Sequence, residues 1–202
     1  MKLKFPHYLF IIYIVFFLLL AINPYDRTVW WTENIPIMII VFLLAVTYNK
    51  FQFSNTSYLL MSVLIFMHTI GGYYTFARVP FDFVTNFFGF ERNNYDRLAH
   101  FSVGFYTYAF AEYLNVKKAA NEKWIIYVLP LVFIMALAGA YEIFEWIYAI
   151  TGDPTAGIEV LGSQGDIWDA QKDMLSDTLG AIVALIFFKL SKKKLSKNSK
   201  EI

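Results

Sequence analysis

Residues 8–22 read YLFIIYIVFFLLLAI, an unbroken apolar run that ends at Asn23-Pro24. A helix needs about 20 apolar residues to cross the hydrocarbon core of a bilayer, and shorter runs are extended by their flanking residues. Five more apolar runs follow in a chain of 202 residues that is 58% hydrophobic and only 16% charged. Average globular proteins are about 45–50% apolar and about a quarter charged. The sequence therefore excludes a water-soluble monomer and predicts an all-α, polytopic integral membrane protein.

The apolar runs predict about six transmembrane helices within a single membrane domain, residues 1–190. Their approximate bounds are 8–22, 35–48, 56–76, 98–114, 124–150 and 174–190. The second run is the shortest and begins beside Pro36. The first run resembles the apolar part of a signal peptide, but no small-x-small cleavage sequence follows it, which favours an uncleaved anchor helix.

The basic residues favour one orientation in the membrane. If the N-terminus is cytoplasmic and the chain crosses six times, twelve of the seventeen Lys and Arg residues lie on the cytoplasmic side. Cytoplasmic loops of membrane proteins carry such an excess. We therefore expect both termini in the cytoplasm, with residues 191–202 forming a basic tail that contacts anionic lipid. The tail lacks a nucleic-acid-binding fold, so the expected partners are membrane lipids and not nucleic acid.

Acid and imidazole side chains fall inside or at the ends of the last four predicted spans. The third span contains His68, and YDRLAHFSVG places Asp96 and His100 at i, i+4 on one helix face. In the fifth span, YEIFEW places Glu142 and Glu145 at i, i+3. Four acids with spacings of three and four residues introduce the sixth span: Asp166, Asp169, Asp173 and Asp177.

These side chains lie at a common depth. Counted from the cytoplasmic helix ends at about 1.5 Å per residue, they fall in the extracytoplasmic third of a hydrocarbon core about 30 Å thick. A charge at the centre of a membrane helix costs at least about 2.5–3.5 kcal/mol on insertion scales, and intramembrane acids are therefore functional candidates. Such a layer must hold a proton, pair with a base or bind a cation.

The mixture of imidazole and carboxylate predicts a divalent metal site of Zn, Mn or Mg, although the chain has no HExxH or other tight ligand spacing. A metal-assisted hydrolase or transferase follows, acting on lipids or polyprenyl-linked envelope substrates that enter sideways from the bilayer. Asp96 or Glu142 is the predicted general base. The predicted metal ligands are His68, His100, Glu145, Asp173 and Asp177.

Structural roles compete with this interpretation at several positions. Asp96 is equally suited to cap a helix N-terminus, and Asp166 and Asp169 to a solvated outer loop and helix start. His68 alone is more typical of a buried imidazole with satisfied hydrogen bonds than of a ligand.

Two other functions fit the same residues. A proton- or cation-coupled transporter would use the carboxylates as relay sites, although the sequence shows no inverted repeat of the kind many transporters have. A non-catalytic lipid- or partner-binding membrane protein would tolerate Glu145→Gln and Asp177→Asn.

Five strings carry a family resemblance: HTIGGYYTFARVP, FGFERNNYDRLAH, YDRLAHFSVG, GAYEIFEW and GDIWDAQKDMLSDTLGA. Over roughly residues 60–190 the chain resembles the YjdF-type family of bacterial inner-membrane proteins. This resemblance implies a multi-pass protein of the bacterial cytoplasmic membrane and supplies no reaction.

A weaker similarity is to the VanZ-like membrane proteins, known for reduced susceptibility to glycopeptide antibiotics. It rests on the segment from Asp96 to His100, on Glu142 or Glu145, and on the segment 173–180. The chain has Asp177 where that pattern has Asn, which makes its site more acidic. The resemblance implies a four-helix core, formed by spans three to six, with two additional N-terminal helices.

Overall fold

The computed structural model describes residues 3–152 and 154–198, and within these residues it forms helices joined by short connections and no strands. The all-α prediction is confirmed. The residues at the two ends of the chain that belong to the predicted cytoplasmic termini, 1–2 and 199–202, lie outside the described residues. The nine α-helices and one short 3-10 helix (Phe76–Arg78) of the described chain have these bounds: α1 Phe5–Leu20, α2 Arg27–Thr47, α3 Asn55–Tyr74, α4 Asp82–Phe88, α5 Tyr95–Val103, α6 Tyr106–Lys117, α7 Ile125–Thr151, α8 Pro154–Leu161 and α9 Asp169–Asn198.

Four of the described helices are long and apolar enough to cross a membrane: α2, α3, α7 and α9 up to Lys192. Helix α1 is apolar but has only 16 residues. The fourth predicted span is divided into α5 and α6, which are separated at Gly104 and Phe105. Each of the six predicted spans thus falls on helix, and the fourth consists of two short helices in place of one.

Helix α2 begins eight residues before the predicted second span. The Asp26 side chain accepts hydrogen bonds from the backbone N–H groups of Thr28 (2.7 Å) and Val29 (2.9 Å), which fixes the helix start. Pro36 lies inside the helix. The extra two turns carry Glu33 and Asn34, both fully buried, into the protein core. The polar core is therefore larger than predicted, because α2 contributes to it as well as the third to sixth spans.

Contacts between helix ends define one side of the protein. Lys4, before α1, donates a hydrogen bond to Gln52 in the α2–α3 connection (2.9 Å). Ser54, the N-cap of α3, donates through its backbone N–H to Glu112 near the end of α6 (2.8 Å). These are the ends that the basic residues predict to be cytoplasmic.

The interior changes character along the helix axes. In the half near these ends, α6, α7 and α9 enclose an apolar cluster that includes Tyr108, Leu114 and Phe188. Most of the buried charged side chains of the described chain lie in the other half. Helix α8 closes this half from the side, packing Val160 against Val29 of α2.

Helices α5 and α9 cross with their backbones in contact. A Cβ atom at Gly180 would overlap the carbonyl group of Phe101, and one at Gly104 would overlap the backbone of Ala181. Small residues allow this close approach between membrane helices. The break between α5 and α6 occurs at this crossing, one turn from the acid and imidazole side chains of both helices.

Candidate functional site

The α5–α9 crossing brings together four of the predicted site residues. His100 Nδ1 lies 3.3 Å from Asp177 Oδ2, and His100 Nε2 lies 3.7 Å from Asp96 Oδ1. One ligand atom from each of Asp96, His100 and Asp173 lies within 4.8 Å of the other two. The sequence predicts Asp96 as a general base, but the structure places it among the possible metal ligands.

Two carboxylates near His100 are incompletely paired. Asp177 is only 1% exposed, and its Oδ1 atom has no hydrogen-bond partner among the described residues. Among the described residues, Oε1 of Glu142 also has no hydrogen-bond partner. Glu142 lies within electrostatic range of His100, Asp96 and Asp173. A buried polar atom without a partner costs about 1–3 kcal/mol, and more when it is charged, so these oxygens are suited to a cation or a proton.

His68 lies away from this group and pairs with a residue that the sequence analysis missed. Its Nε2 is 3.1 Å from Oε2 of Glu33 on α2, and the Tyr141 hydroxyl donates to the same oxygen at 3.2 Å. The structure thus places His68 as a buried imidazole paired with Glu33, and its Nε2 makes no hydrogen bond of good geometry among the described residues. The signal for Glu33 was available: a membrane helix needs about 20 residues, so the short run 35–48 had to extend back past Glu33.

A cavity of about 180 Å³ joins the two groups. Acid or imidazole side chains from α3, α5, α7 and α9 line this cavity. Glu33 of α2 accepts a hydrogen bond from Tyr141, which also lines it. Glu145 lines this cavity, but it is not among the three residues whose ligand atoms lie within 4.8 Å of one another. Side chains to which the sequence assigns a common depth thus line one chamber. Six of the polar wall residues are His68, Asp96, His100, Tyr141, Glu145 and Asp177.

The first two of the four acids that introduce the sixth span, Asp166 and Asp169, have a different role. Arg97 Nη2 contacts Asp169 Oδ1 at 2.6 Å and Asp166 Oδ2 at 3.2 Å, and Arg92 pairs with both acids from the other side. Arg97 also pairs with Asp173. Outside the membrane-spanning segments, the hydrogen bond from Lys172 lowers the pKa of Asp166. The four acids thus have different surroundings: Asp166 and Asp169 belong to an ion-pair network, and Asp177 faces His100.

The inner arrangement is chemically suited to hold a divalent cation. In the tautomer with hydrogen on Nδ1, His100 donates to Asp177 and leaves the Nε2 lone pair on the Asp96 side. Metal-bound histidines usually donate their other N–H to a carboxylate or carbonyl in this way. Imidazole with carboxylates is a ligand set for Zn, Mn or Fe. A protonated His100 bridging two carboxylates is the alternative state of the same geometry.

Fold and site together define a class: a polytopic helical membrane protein with an acid–imidazole chamber in one half of its helix bundle. Within that class, the chain belongs to the family described as "Predicted membrane protein (DUF2238)", whose model matches residues 5–194. It is 34% identical to the protein "Inner membrane protein YjdF" of Escherichia coli (strain K12) over 174 residues, which are 83% of this chain and 80% of that protein. No solved structure matches the chain.

These relationships confirm the YjdF-type resemblance and the membrane assignment. The protein is a multi-pass protein of the bacterial inner membrane, embedded in lipid. The VanZ-like similarity stays a prediction, as do the metal and the substrate.

Proposed function

We propose that this protein is a divalent-metal-dependent membrane hydrolase or transferase that acts on a lipid or polyprenyl-linked substrate in the outer leaflet. One observation carries the proposal: Asp96, His100 and Asp173 can each direct a ligand atom to a common point. Asp177 stands behind the imidazole at 3.3 Å and has a free oxygen among the described residues.

The geometry supports a ligand set that differs from the predicted one. Asp96 replaces His68 and Glu145 as a ligand, since those two side chains lie on other walls of the chamber. Asp177 acts through His100 by fixing its tautomer. Three protein ligands leave positions for water and substrate, as in catalytic sites.

The chain's own residues then supply the remaining chemistry. A divalent ion held by these ligands would supply the Lewis acidity that makes water a nucleophile near neutral pH. Glu142, with one buried oxygen that lacks a partner among the described residues, would be the group that holds the proton released from that water. Arg97 balances the charge of Asp173 and Asp169 and so limits the number of uncompensated acids around the ion.

Metal binding tests the proposal. Equilibrium dialysis of the purified protein against Mn²⁺ should show one saturable ion per chain, and Asp96→Asn should lose it. Asp82→Asn is the matched control because Asp82 is an exposed acid on α4. Mn²⁺ should raise the unfolding temperature of the wild type and not that of Asp96→Asn. Absence of saturable binding, or equal binding in both variants, would contradict the metal proposal.

A proton-coupled transporter is the second candidate, favoured by the Glu33–His68 pair, whose imidazole lines the same chamber as His100. Two acid–imidazole pairs joined by a cavity are typical of a proton relay. Proton-driven substrate flux in proteoliposomes that disappears with Asp177→Asn, in protein that binds no Mn²⁺, would favour this candidate over the enzyme.

A further inference from the structure

A second cavity, of about 400 Å³, forms an apolar groove lined by α2, α3, α6 and α7. The groove runs from Ile40 to Thr47 along α2 and from Val103 to Tyr113 along α5 and α6. At about 1.5 Å per residue these stretches are about 10 and 15 Å long. The groove is therefore comparable in length to half of a hydrocarbon core about 30 Å thick.

The groove adjoins the acid–imidazole chamber. Four residues line both cavities, one or more from each of the helices at the junction: Ile40, Leu64, Val103 and Leu137. From this junction the chamber extends towards Asp96 and the groove towards the predicted cytoplasmic side. A molecule with a polar head and an apolar tail could occupy both cavities at once.

The groove also opens to the bilayer between α2 and α7. Among the described residues, these two helices are joined by hydrogen bonds at their outer parts, from Tyr141 to Glu33 (3.2 Å) and between the hydroxyls of Thr32 and Tyr148 (3.1 Å). Further in, the groove separates them, and Leu43 and Phe133 on its two edges are exposed. A lipid chain can enter there from the side.

We propose that this groove binds the tail of the substrate, a lipid with one long hydrocarbon chain on a phosphate head. The inference rests on the proposed function, because the head would lie in the chamber beside the cation. Within the described chain, no Lys or Arg lines the chamber, so a phosphate needs a bound cation between itself and the acids.

The cavities of the described chain favour one tail over two. A further large apolar cavity, about 480 Å³ between α1, α2 and α3, shares no lining residue with the chamber. A second chain of a diacyl lipid placed in that cavity would not lead to the head. The groove begins at the junction and runs towards the predicted cytoplasmic side, so it fits a hydrocarbon chain long enough to reach past the bilayer centre.

Two substitutions on α7 form a matched test. Leu137 lines the junction and is 46% exposed, whereas Met135 lines neither cavity and is 49% exposed. Leu137→Trp narrows the junction, and Met135→Trp adds the same side chain to the lipid-facing surface. Both positions are open enough for a larger side chain without repacking the core.

The readout is native mass spectrometry of protein released from phosphatidylcholine vesicles that contain a polyprenyl phosphate. The wild type and Met135→Trp should retain one polyprenyl phosphate per chain, and Leu137→Trp should lose it. Equal retention by the two variants, or retention of phosphatidylcholine in its place, would overturn the tail assignment.

Mn²⁺ binding, measured on the same samples, separates this inference from the proposed function. Leu137→Trp should still bind Mn²⁺ because it leaves Asp96 and His100 unchanged. If Leu137→Trp alone loses the lipid and neither variant nor wild type binds Mn²⁺, the groove assignment is supported and the metal enzyme is refuted. Mn²⁺ binding together with unchanged lipid retention in Leu137→Trp would refute the groove alone.

Discussion

The closest helix crossing in the site can be tested by adding one methyl group. A Cβ atom at Gly180 would lie 2.8 Å from the carbonyl carbon of Phe101 and closer still to its oxygen. Carbon atoms are in favourable contact at about 3.5–4.0 Å, so α9 must move away from α5 by at least about 1 Å. Gly139→Ala on α7 is the control, because its nearest neighbour is Met174 Sδ at 3.8 Å.

The two substitutions share one effect and differ in another. Each gains up to about 1 kcal/mol of helix propensity, whereas only Gly180→Ala has an overpacking cost of about 1–3 kcal/mol. Gly180→Ala should therefore be less stable than Gly139→Ala by about 1–3 kcal/mol. In thermal unfolding this corresponds to about 2–4 °C for each kcal/mol in a chain of this size.

The same shift should reach the site. Moving α9 by about 1 Å lengthens the 3.3 Å contact between His100 and Asp177 beyond hydrogen-bond range. Gly180→Ala should then bind Mn²⁺ more weakly, while Gly139→Ala binds it as the wild type does. Equal stability and equal Mn²⁺ affinity of the two variants would refute the described crossing.

Three further predictions concern the outer surface of the bundle. Arg97→Ala leaves the buried Asp173 carboxylate without its counter-charge and should destabilise the fold by about 3–5 kcal/mol, with Arg97→Lys much milder in the same unfolding assay. Asp26→Ala removes the cap of α2 and should cost about 0.5–2 kcal/mol, measured by thermal unfolding. The hydrogen bond from Arg78 lowers the pKa of Glu159, so ionised Glu159 stabilises the fold above its unfolded-state pKa and this contribution is lost as the pH falls. Glu159→Gln should therefore lower the unfolding temperature at neutral pH and approach the wild type in acid.

The heights of the site residues could be predicted from the sequence. Spacings of three and four residues placed Asp173 and Asp177 on one face of α9, and Asp96 and His100 on one face of α5. Alternating helix directions then placed these faces at one level. The structure adds the partners: the imidazole of His100 lies between Asp96 and Asp177.

The rotation of each helix about its axis could not be predicted in this way. His68 has the right height for a ligand, but α3 turns it towards Glu33 on α2. Counting residues from the cytoplasmic end gives a depth and no direction, so the predicted ligand set includes His68 and Glu145, which lie outside the group formed by Asp96, His100 and Asp173. The apolar groove depends on the separation of α2 from α7, which no local pattern encodes.

The most direct test of the central proposal is to identify the histidine that binds the cation. Pulsed electron paramagnetic resonance of Mn²⁺-loaded protein detects the nitrogen of a coordinated imidazole. The account predicts a coupling from one imidazole that persists in His68→Gln and disappears in His100→Gln. A coupling that survives in His100→Gln, or that is lost in His68→Gln, would contradict the assignment of the site to the α5–α9 crossing.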